Sequence, residues 1–425
     1  MYGILTFMEQ KQRKNIFNKI GIAIKDLFKR RDPLEFFIVL MSISLALYLI
    51  SAIFFGVESL KSIFFRGCDD IFMDYFNQIR DVSQGSSVYT ERHVIYPPMA
   101  NLLFVISAQM VSQRYCNTVF ERRMTWSYEP QNLIACLLFL GIFYALYLIV
   151  FSKYVPAKGK KKIATMFFVA VNASILYLLE RGNMIIVCTV FTAIFLFTYD
   201  SENKIAREVG LLSLAFAFSI KLYPALFGAL LIADKRYKEA IRCIIYALLM
   251  LIIPSFFFGG PKCIIYLFEN FLGFSGSIMD MGKDIAPGGF MGKLFGFGVS
   301  LFKYAFILGL IAFVVGCFFI KERWKLFMYG IIAYNMVPAL TSPYMWPVML
   351  VPLLMFCKDN KLQGKNIFYF LMMLLPFLFI IFLPDKVLVY AITIVLYISL
   401  IVEVTNLVIK HFKKAKTTKT ETTTQ

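Results

Sequence analysis

The side chains in this sequence best suited to chemistry are a run of carboxylates between residues 69 and 81 and two cations set at breaks in apolar segments further along. Asp70 and Asp74 are four residues apart, so on a helix they share a face, and Asn77 and Asp81 continue it. Ile71, Phe72, Tyr75, Phe76 and Ile79 fill much of the remaining circumference. That pattern predicts an amphipathic helix lying on a membrane surface, from which a carboxylate can reach a group at headgroup level. Asp69 fits a helix cap ahead of Ile71. Downstream, Arg181-Gly182-Asn183 and Lys221-Leu222-Tyr223-Pro224 place a cation beside a chain break. Polar groups at such turns are costly unless they face water or each other, which makes them the default site candidates.

The elements that must position these residues are set by composition. Of the 425 residues, 59% are hydrophobic and 16% charged, and the mean hydropathy is +0.71. A soluble fold cannot hide that much apolar surface, and several apolar runs reach the roughly 20 residues needed to cross about 30 Å of hydrocarbon. The expected class is all-α, a polytopic transmembrane helical protein. The formal charge of +18 lies between the apolar runs and at both termini rather than on one face, which argues against nucleic acid and for contact with membrane lipids. Eight cysteines include no CxxC pair, so neither metal nor redox chemistry is indicated. Cys68 and Cys116 lie outside the expected spans, where a disulfide between them is open.

Basic clusters flanking apolar segments mark the cytoplasmic side. By that rule residues 1–35 form a basic cytoplasmic N-terminus, and Phe36 to Gly56 is a first outward span. Asn132 to Ser152 returns to the basic turn Lys153 to Lys162, leaving 57–131 as a large external loop. Within that loop, Pro98 to Gln113 reads as a short apolar helix in or dipping into the outer leaflet. Ile163 to Leu179 runs out to Arg181, and Met184 to Thr198 returns. Two shorter helices broken at Lys221 to Pro224 put Lys221 near an outer turn, because Pro224 disfavours helix at Tyr223. Ala240 to Phe258 leads to a second, glycine-rich external loop over 259–296. Phe297 to Ile320 returns to Lys321 to Lys325. Further pairs turn at Ser342 to Trp346 and at Pro384 to Lys386. The sum is about twelve crossings over one domain, 36–410, with a disordered basic, Thr-rich cytoplasmic tail at 411–425.

Each candidate also has a plainer reading. Asp70 and Asp74 also fit the solvated face of a surface helix. Tyr96-Pro97-Pro98 suits a helix start as well as a ligand contact. Lys221 suits snorkelling to headgroups, and Arg181 a pairing with Glu180 alone. His93 reads as a satisfied loop residue rather than a base. Asp280 and Asp284 fall in the second external loop, where they would meet substrate only if that loop closed.

Taken in order, several short features resemble glycosyltransferase family 87, the polyprenol-phosphate-dependent enzymes of the GT-C superfamily that include mycobacterial mannosyltransferases. They are Asp70-Ile-Phe-Met-Asp74-Tyr75-Phe76 after the first span, Gly85 to Tyr89, Tyr96-Pro97-Pro98 before a short apolar helix, Arg181-Gly182-Asn183, Lys221-Leu-Tyr-Pro224, and Ser342-Pro343. The likeness runs from about Phe36 to Met355. It implies a GT-C-like fold in the plasma membrane with both termini cytoplasmic. It also implies inverting transfer of a hexose, mannose-like, from a polyprenyl-phosphate sugar to an extracytoplasmic lipid or glycan acceptor. Asp70 or Asp74 would deprotonate the acceptor hydroxyl, and Lys221 and Arg181 would hold the departing phosphate. Asn183, Tyr96, Tyr223 and Asp284 would contact substrate. No cofactor is implied, and a divalent ion is left open. Nucleotide sugars are absent outside the cytoplasmic membrane, so a transfer there needs a donor flipped across on a lipid. The rival readings are a transporter or flippase for a lipid-linked or anionic substrate, which predicts internal pseudo-symmetry and charges deep in the helices, and a polymerase or ligase of surface glycans, which would put its large loop later.

Overall fold

The computed structural model describes residues 31–64, 71–116, 126–281, 299–336, 343–380 and 385–423. The main helices, in chain order, are α1 (Pro33–Phe55), α2 (Met73–Val82), α3 (Pro98–Ala108), α4 (Pro130–Tyr154), α5 (Gly159–Ala170), α6 (Ala173–Arg181), α7 (Ile185–Thr198) and α8 (Lys204–Ile220). They are followed by α9 (Tyr237–Ser255), α10 (Lys262–Met281), α11 (Val299–Phe319), α12 (Arg323–Asn335), α13 (Leu350–Asp359), α14 (Lys365–Leu374) and α15 (Asp385–Thr423). No strand occurs among the described residues. Four helices are long and apolar enough to cross a membrane: α1, α4, α9 with its extension to Phe258, and the Val387–Lys414 part of α15. A fifth span arises if α5 and α6, bent by 41° at their junction, act as one.

The bend has a local cause. Val171 breaks the helix, and Asn172 then caps α6, its side chain accepting the Ile175 N–H at 3.0 Å. Tyr144 and Tyr147 of α4 donate to the carbonyls of Ala170 and Val169, satisfying groups freed where α5 ends.

The basic turns expected on one side do meet at one end of the bundle. Lys161, in the first turn of α5, is ion-paired with Asp32 and lies 3.6 Å from Glu35 at the start of α1. The Leu362 N–H, between α13 and α14, donates to the Arg31 carbonyl at 3.0 Å. Arg323, opening α12, joins Asp200 at 3.1 Å and Asp234 at 2.5 Å, drawing together the turns that precede α8 and α9. Lys325 is buried against Glu403 of α15 at 2.9 Å. The chain therefore runs from these turns along α5–α6 to Arg181 and along α8 to Lys221, which puts both cations at the opposite end.

Three expectations need correction. The stretch after α1 does not spread the apolar face of α2 on lipid: Tyr75, Phe76 and Ile79 of α2 are fully buried, with Tyr75 against Phe104 of α3 and Phe139 of α4. The apolar face of α2 is thus used up by protein packing. A 20-residue helix, α10, occupies the start of the segment expected as a second, glycine-rich loop. The tail is helical to Thr423, because α15 continues from its apolar part through the lysines, which are good helix formers.

Burial alone would raise the Asp32 carboxyl, but Lys161 and the N–H groups of Glu35 and Leu34 outweigh it and hold it below the ordinary aspartate value. A carboxyl lowered by folding stabilises the protein above its unfolded pKa and loses that contribution as pH falls through the folded one. Asp32→Asn keeps the cap and removes the charge. It should lower the melting temperature at neutral pH, with the gap closing below about pH 4; a gap of equal size at all pH values would rule out the ion pair as its source.

Candidate functional site

Two left-handed residues create the site. Gly182 ends α6 at φ 67°, with its own N–H on the Leu179 carbonyl and the Asn183 N–H on the Leu178 carbonyl, a helix stop that favours glycine. Phe72, at φ 58°, turns the chain into α2 and donates its N–H to the Glu180 carbonyl at 2.7 Å. These turns press together. A Cβ on Gly182 would sit 3.0 Å from the Tyr75 Cβ and 3.1 Å from the Phe72 Cα.

That approach brings the flanking residues of both turns onto one carboxylate. Arg181 donates to Asp74 twice, from Nη2 to Oδ1 at 2.5 Å and from Nε to Oδ2 at 3.3 Å. Asn183 Nδ2 donates to Asp74 Oδ2 at 2.7 Å, while its Oδ1 accepts the N–H of Ile185, the first residue of α7, at 2.9 Å. Both members of the ion pair are largely buried, with side chains 17–18% exposed. A charge-assisted, two-pronged contact is among the stronger hydrogen-bonded arrangements and fixes the carboxylate's orientation.

Lys221 caps the far end of α8, and its Nζ lies 3.7 Å from the centre of the Tyr96 ring. Among the described residues it has no carboxylate partner. Burial, then the charge of Asp74 and the nearby Tyr344, push the Tyr96 phenol well above its ordinary range, so it stays protonated and is no base. Tyr223 stacks on Tyr334 with ring centres 4.4 Å apart, packing the Lys221 turn against α12. Tyr344 lies over Tyr177 of α6, and Ser174 donates to the Pro343 carbonyl at 2.6 Å, which ties the turn after α12 to the same helix.

Behind these side chains an amide network holds the loop between α2 and α3. Asn101 is fully buried in α3. Its Oδ1 accepts from Gln78 at 2.9 Å, and its Nδ2 donates to the Tyr89 hydroxyl at 2.9 Å and to the Tyr96 carbonyl at 3.3 Å. Tyr89 in turn donates to the Tyr96 carbonyl at 2.8 Å. From outside, Asn270 of α10 donates to the carbonyls of Tyr89 and Val94. His93 Nδ1 lies 3.3 Å from Asn270 Oδ1, which fits its reading as a satisfied loop residue. Pro97 and Pro98 start α3, as the helix-start reading expects.

The structure therefore brings together Asp74, Arg181, Asn183, Tyr96 and Lys221, with Tyr223 beside them. Asp69, Asp70, Asp284 and the Cys68 thiol lie outside the described residues. Since α2 begins only at Met73, the helical face expected to carry both Asp70 and Asp74 starts at Asp74. The plainer reading of Arg181 paired it with Glu180 alone; across the turns it pairs with Asp74, because Gly182 lets α6 dock on α2. Sequence reading passed over Gln78, Asn101, Asn270 and the role of Gly182. The amide at 101, alone in the apolar run Pro98–Ala108 apart from Ser107, is the signal that marks a buried polar anchor. No group of three or more His, Cys, Asp or Glu side chains that would hold a metal occurs among the described residues.

The family model for glycosyltransferase family 87 matches residues 94–343, a stretch that holds Tyr96, Arg181, Asn183, Lys221 and Tyr223 and begins just after Asp74 and α2. The match defines the class: this is a glycosyltransferase, built of helices several of which are apolar enough to cross a bilayer. The chain belongs to glycosyltransferase family 87. No curated protein and no solved structure matches it. The carrier reading of the same residues is left without a supporting observation.

Gly182→Ala should cost on the order of 1–3 kcal/mol for its left-handed backbone and close contacts. It should also cut glycosyl transfer about 100-fold by displacing Arg181 and Asn183. Gly85→Ala, at φ 61° with open space around it, carries the backbone strain without the contact. Equal losses of activity in the two variants would show that the Gly182 contact does not position the site.

Proposed function

We propose that this protein moves a hexose, mannose-like, from a polyprenyl-phosphate sugar to an extracytoplasmic lipid or glycan acceptor, with inversion and with Asp74 as the general base. The observation that carries the reading is the Asp74 carboxylate fixed by Arg181 and Asn183 at the end of the bundle away from the basic turns, with the Lys221 ammonium nearby over Tyr96. In the proposed step the acceptor hydroxyl gives its proton to Asp74 as its oxygen forms a bond to the anomeric carbon. The bond from that carbon to the phosphate oxygen breaks on the opposite face, and its electron pair leaves with the polyprenyl phosphate. Charge builds on that phosphate as it departs, and preorganised cations aimed at it lower the barrier. Lys221, lacking a carboxylate partner among the described residues, is suited to this task, with Arg181 between base and phosphate. Tyr96, Asn183, Tyr223 and Asp284 are the proposed substrate contacts.

The reading includes about twelve crossings with both termini in the cytoplasm and the site on the outer face of the plasma membrane. Nucleotide sugars are absent there, so the donor must be carried on a lipid. Asp70, four positions earlier in the sequence, remains a second candidate for the base.

Asp74→Asn should lower transfer from a polyprenyl-phosphate sugar in membranes by about 100- to 10,000-fold with normal insertion; the same assay on Asp70→Asn decides between the two aspartates. Full activity in both single variants and in the double variant would remove them as bases. Lys221→Ala should raise KM for the donor about tenfold, worth roughly 1.4 kcal/mol, and leave the acceptor's unchanged. Equal rises for both substrates would sink its phosphate role.

A further inference from the structure

Asp74 and Lys221 rest on different supports. Asp74 is in the first turn of α2, while the Lys221 ammonium lies 3.7 Å from the centre of the Tyr96 ring, in the segment that leads into α3. The Asn101 side chain touches both supports. It is fully buried, one turn into α3. Its carbonyl oxygen accepts from Gln78 at 2.9 Å, one helical turn beyond Asp74 on α2. Its amide nitrogen reaches the other way, to the Tyr89 hydroxyl at 2.9 Å and the Tyr96 carbonyl at 3.3 Å. Tyr89 closes a triangle with its own bond to that carbonyl at 2.8 Å, and Pro97 restricts the backbone that follows. A second buried bond joins α2 to α3, between the Tyr75 and Ser107 hydroxyls at 2.6 Å, but neither residue belongs to the loop that carries Tyr96.

We propose that Asn101 is the positioning residue that sets the span between the Asp74 carboxylate and the Lys221 ammonium. The inference rests on the roles given to those two groups above and adds what holds them at a distance. In an inverting transfer the base and the leaving phosphate stand on opposite faces of one carbon, so the transition state fixes how far apart base and cation must be. An error of about 1 Å in such a placement costs on the order of 100-fold in rate. Holding the span takes a group that accepts on the α2 side and donates on the Tyr96 side. A primary amide carries an acceptor and two donors in one rigid plane without charge. A carboxylate at 101 would keep the Gln78 bond and lose the Tyr96 arm, and leucine would lose both.

The two arms of Asn101 separate in kinetics with a polyprenyl-phosphate mannose donor in membranes. Gln78→Met breaks the α2 arm and should lower kcat about tenfold or more, with the donor KM within about twofold of the unsubstituted enzyme. Tyr89→Phe loosens the Tyr96 arm and should raise the donor KM about fivefold, the scale of one neutral hydrogen bond. Combining Tyr89→Phe with Lys221→Ala should give the donor KM of Lys221→Ala alone, because the hydroxyl acts through the ammonium. Tyr75→Phe, which removes the Ser107 bond, is the packing control: it should lower the melting temperature and leave the donor KM unchanged. A donor KM raised as much by Tyr75→Phe as by Tyr89→Phe, multiplied effects in the double variant, or an unchanged kcat in Gln78→Met overturns the proposal. If Lys221→Ala itself leaves the donor KM unchanged, or the unsubstituted protein does not transfer from this donor, the function proposed above fails and the link is judged by hydrogen exchange. Gln78→Met should then speed exchange of the backbone amides of residues 88–96, on the far side of Asn101 from the substitution, and Tyr75→Phe should not. Unchanged exchange there, or an equal rise in both variants, rejects the link.

Discussion

The close approach of two left-handed turns, at Phe72 and Gly182, is the constraint on which the candidate site depends. Neither turn is functional by itself. One starts α2 and the other ends α6, and each leaves its next polar side chains pointing at the same place. Because no Cβ stands between them, the Phe72 N–H reaches the Glu180 carbonyl, and Asp74 comes within reach of Arg181 and Asn183 together. A single methyl group at 182 is large enough to separate what four hydrogen bonds hold.

Charge is organised differently at the two ends of the bundle. At the end with the basic turns, ion pairs such as Lys161 with Asp32, Arg323 with Asp234 and Lys325 with Glu403 clamp successive helices to one another. Of these Lys325 is buried, and a buried pair is a weak source of net stability, but removing one partner leaves an expensive lone charge, so it punishes misassembly. At the site end neutral groups add to the ion pair: Gln78, Asn101, Tyr89 and Asn270 hold the loop between α2 and α3 by amide and hydroxyl bonds. The charged groups there include the Asp74–Arg181 pair and Lys221, with the Arg80–Asp81 pair further along α2.

Much of this was legible in the sequence because the bilayer imposes strong rules. Apolar runs gave α1, α4 and α9 to within a few residues. Pro98, Pro224 and the Arg181-Gly182-Asn183 triplet marked real breaks. What failed was the inference from a single helix to its surroundings. The periodicity of α2 was right in showing an apolar face, but periodicity cannot distinguish lipid from protein as the partner of that face, and Phe104 and Phe139 took it. The same limit hid Asn101, whose partners come from residues 78, 89 and 96, and Asn270, which anchors a loop some 180 residues away in sequence.

The partners Asp74 and Arg181 are separated by 107 positions, with α3, α4, α5 and α6 between them. Helices enter a membrane in the order of synthesis, so Asp74 emerges well before the guanidinium that orients it. The centre is assembled late, by the arrival of α6, rather than matured in place. A chain interrupted anywhere before Arg181 holds the carboxylate without the grip that orients it, and this ties the birth of the candidate site to completion of the first half of the bundle.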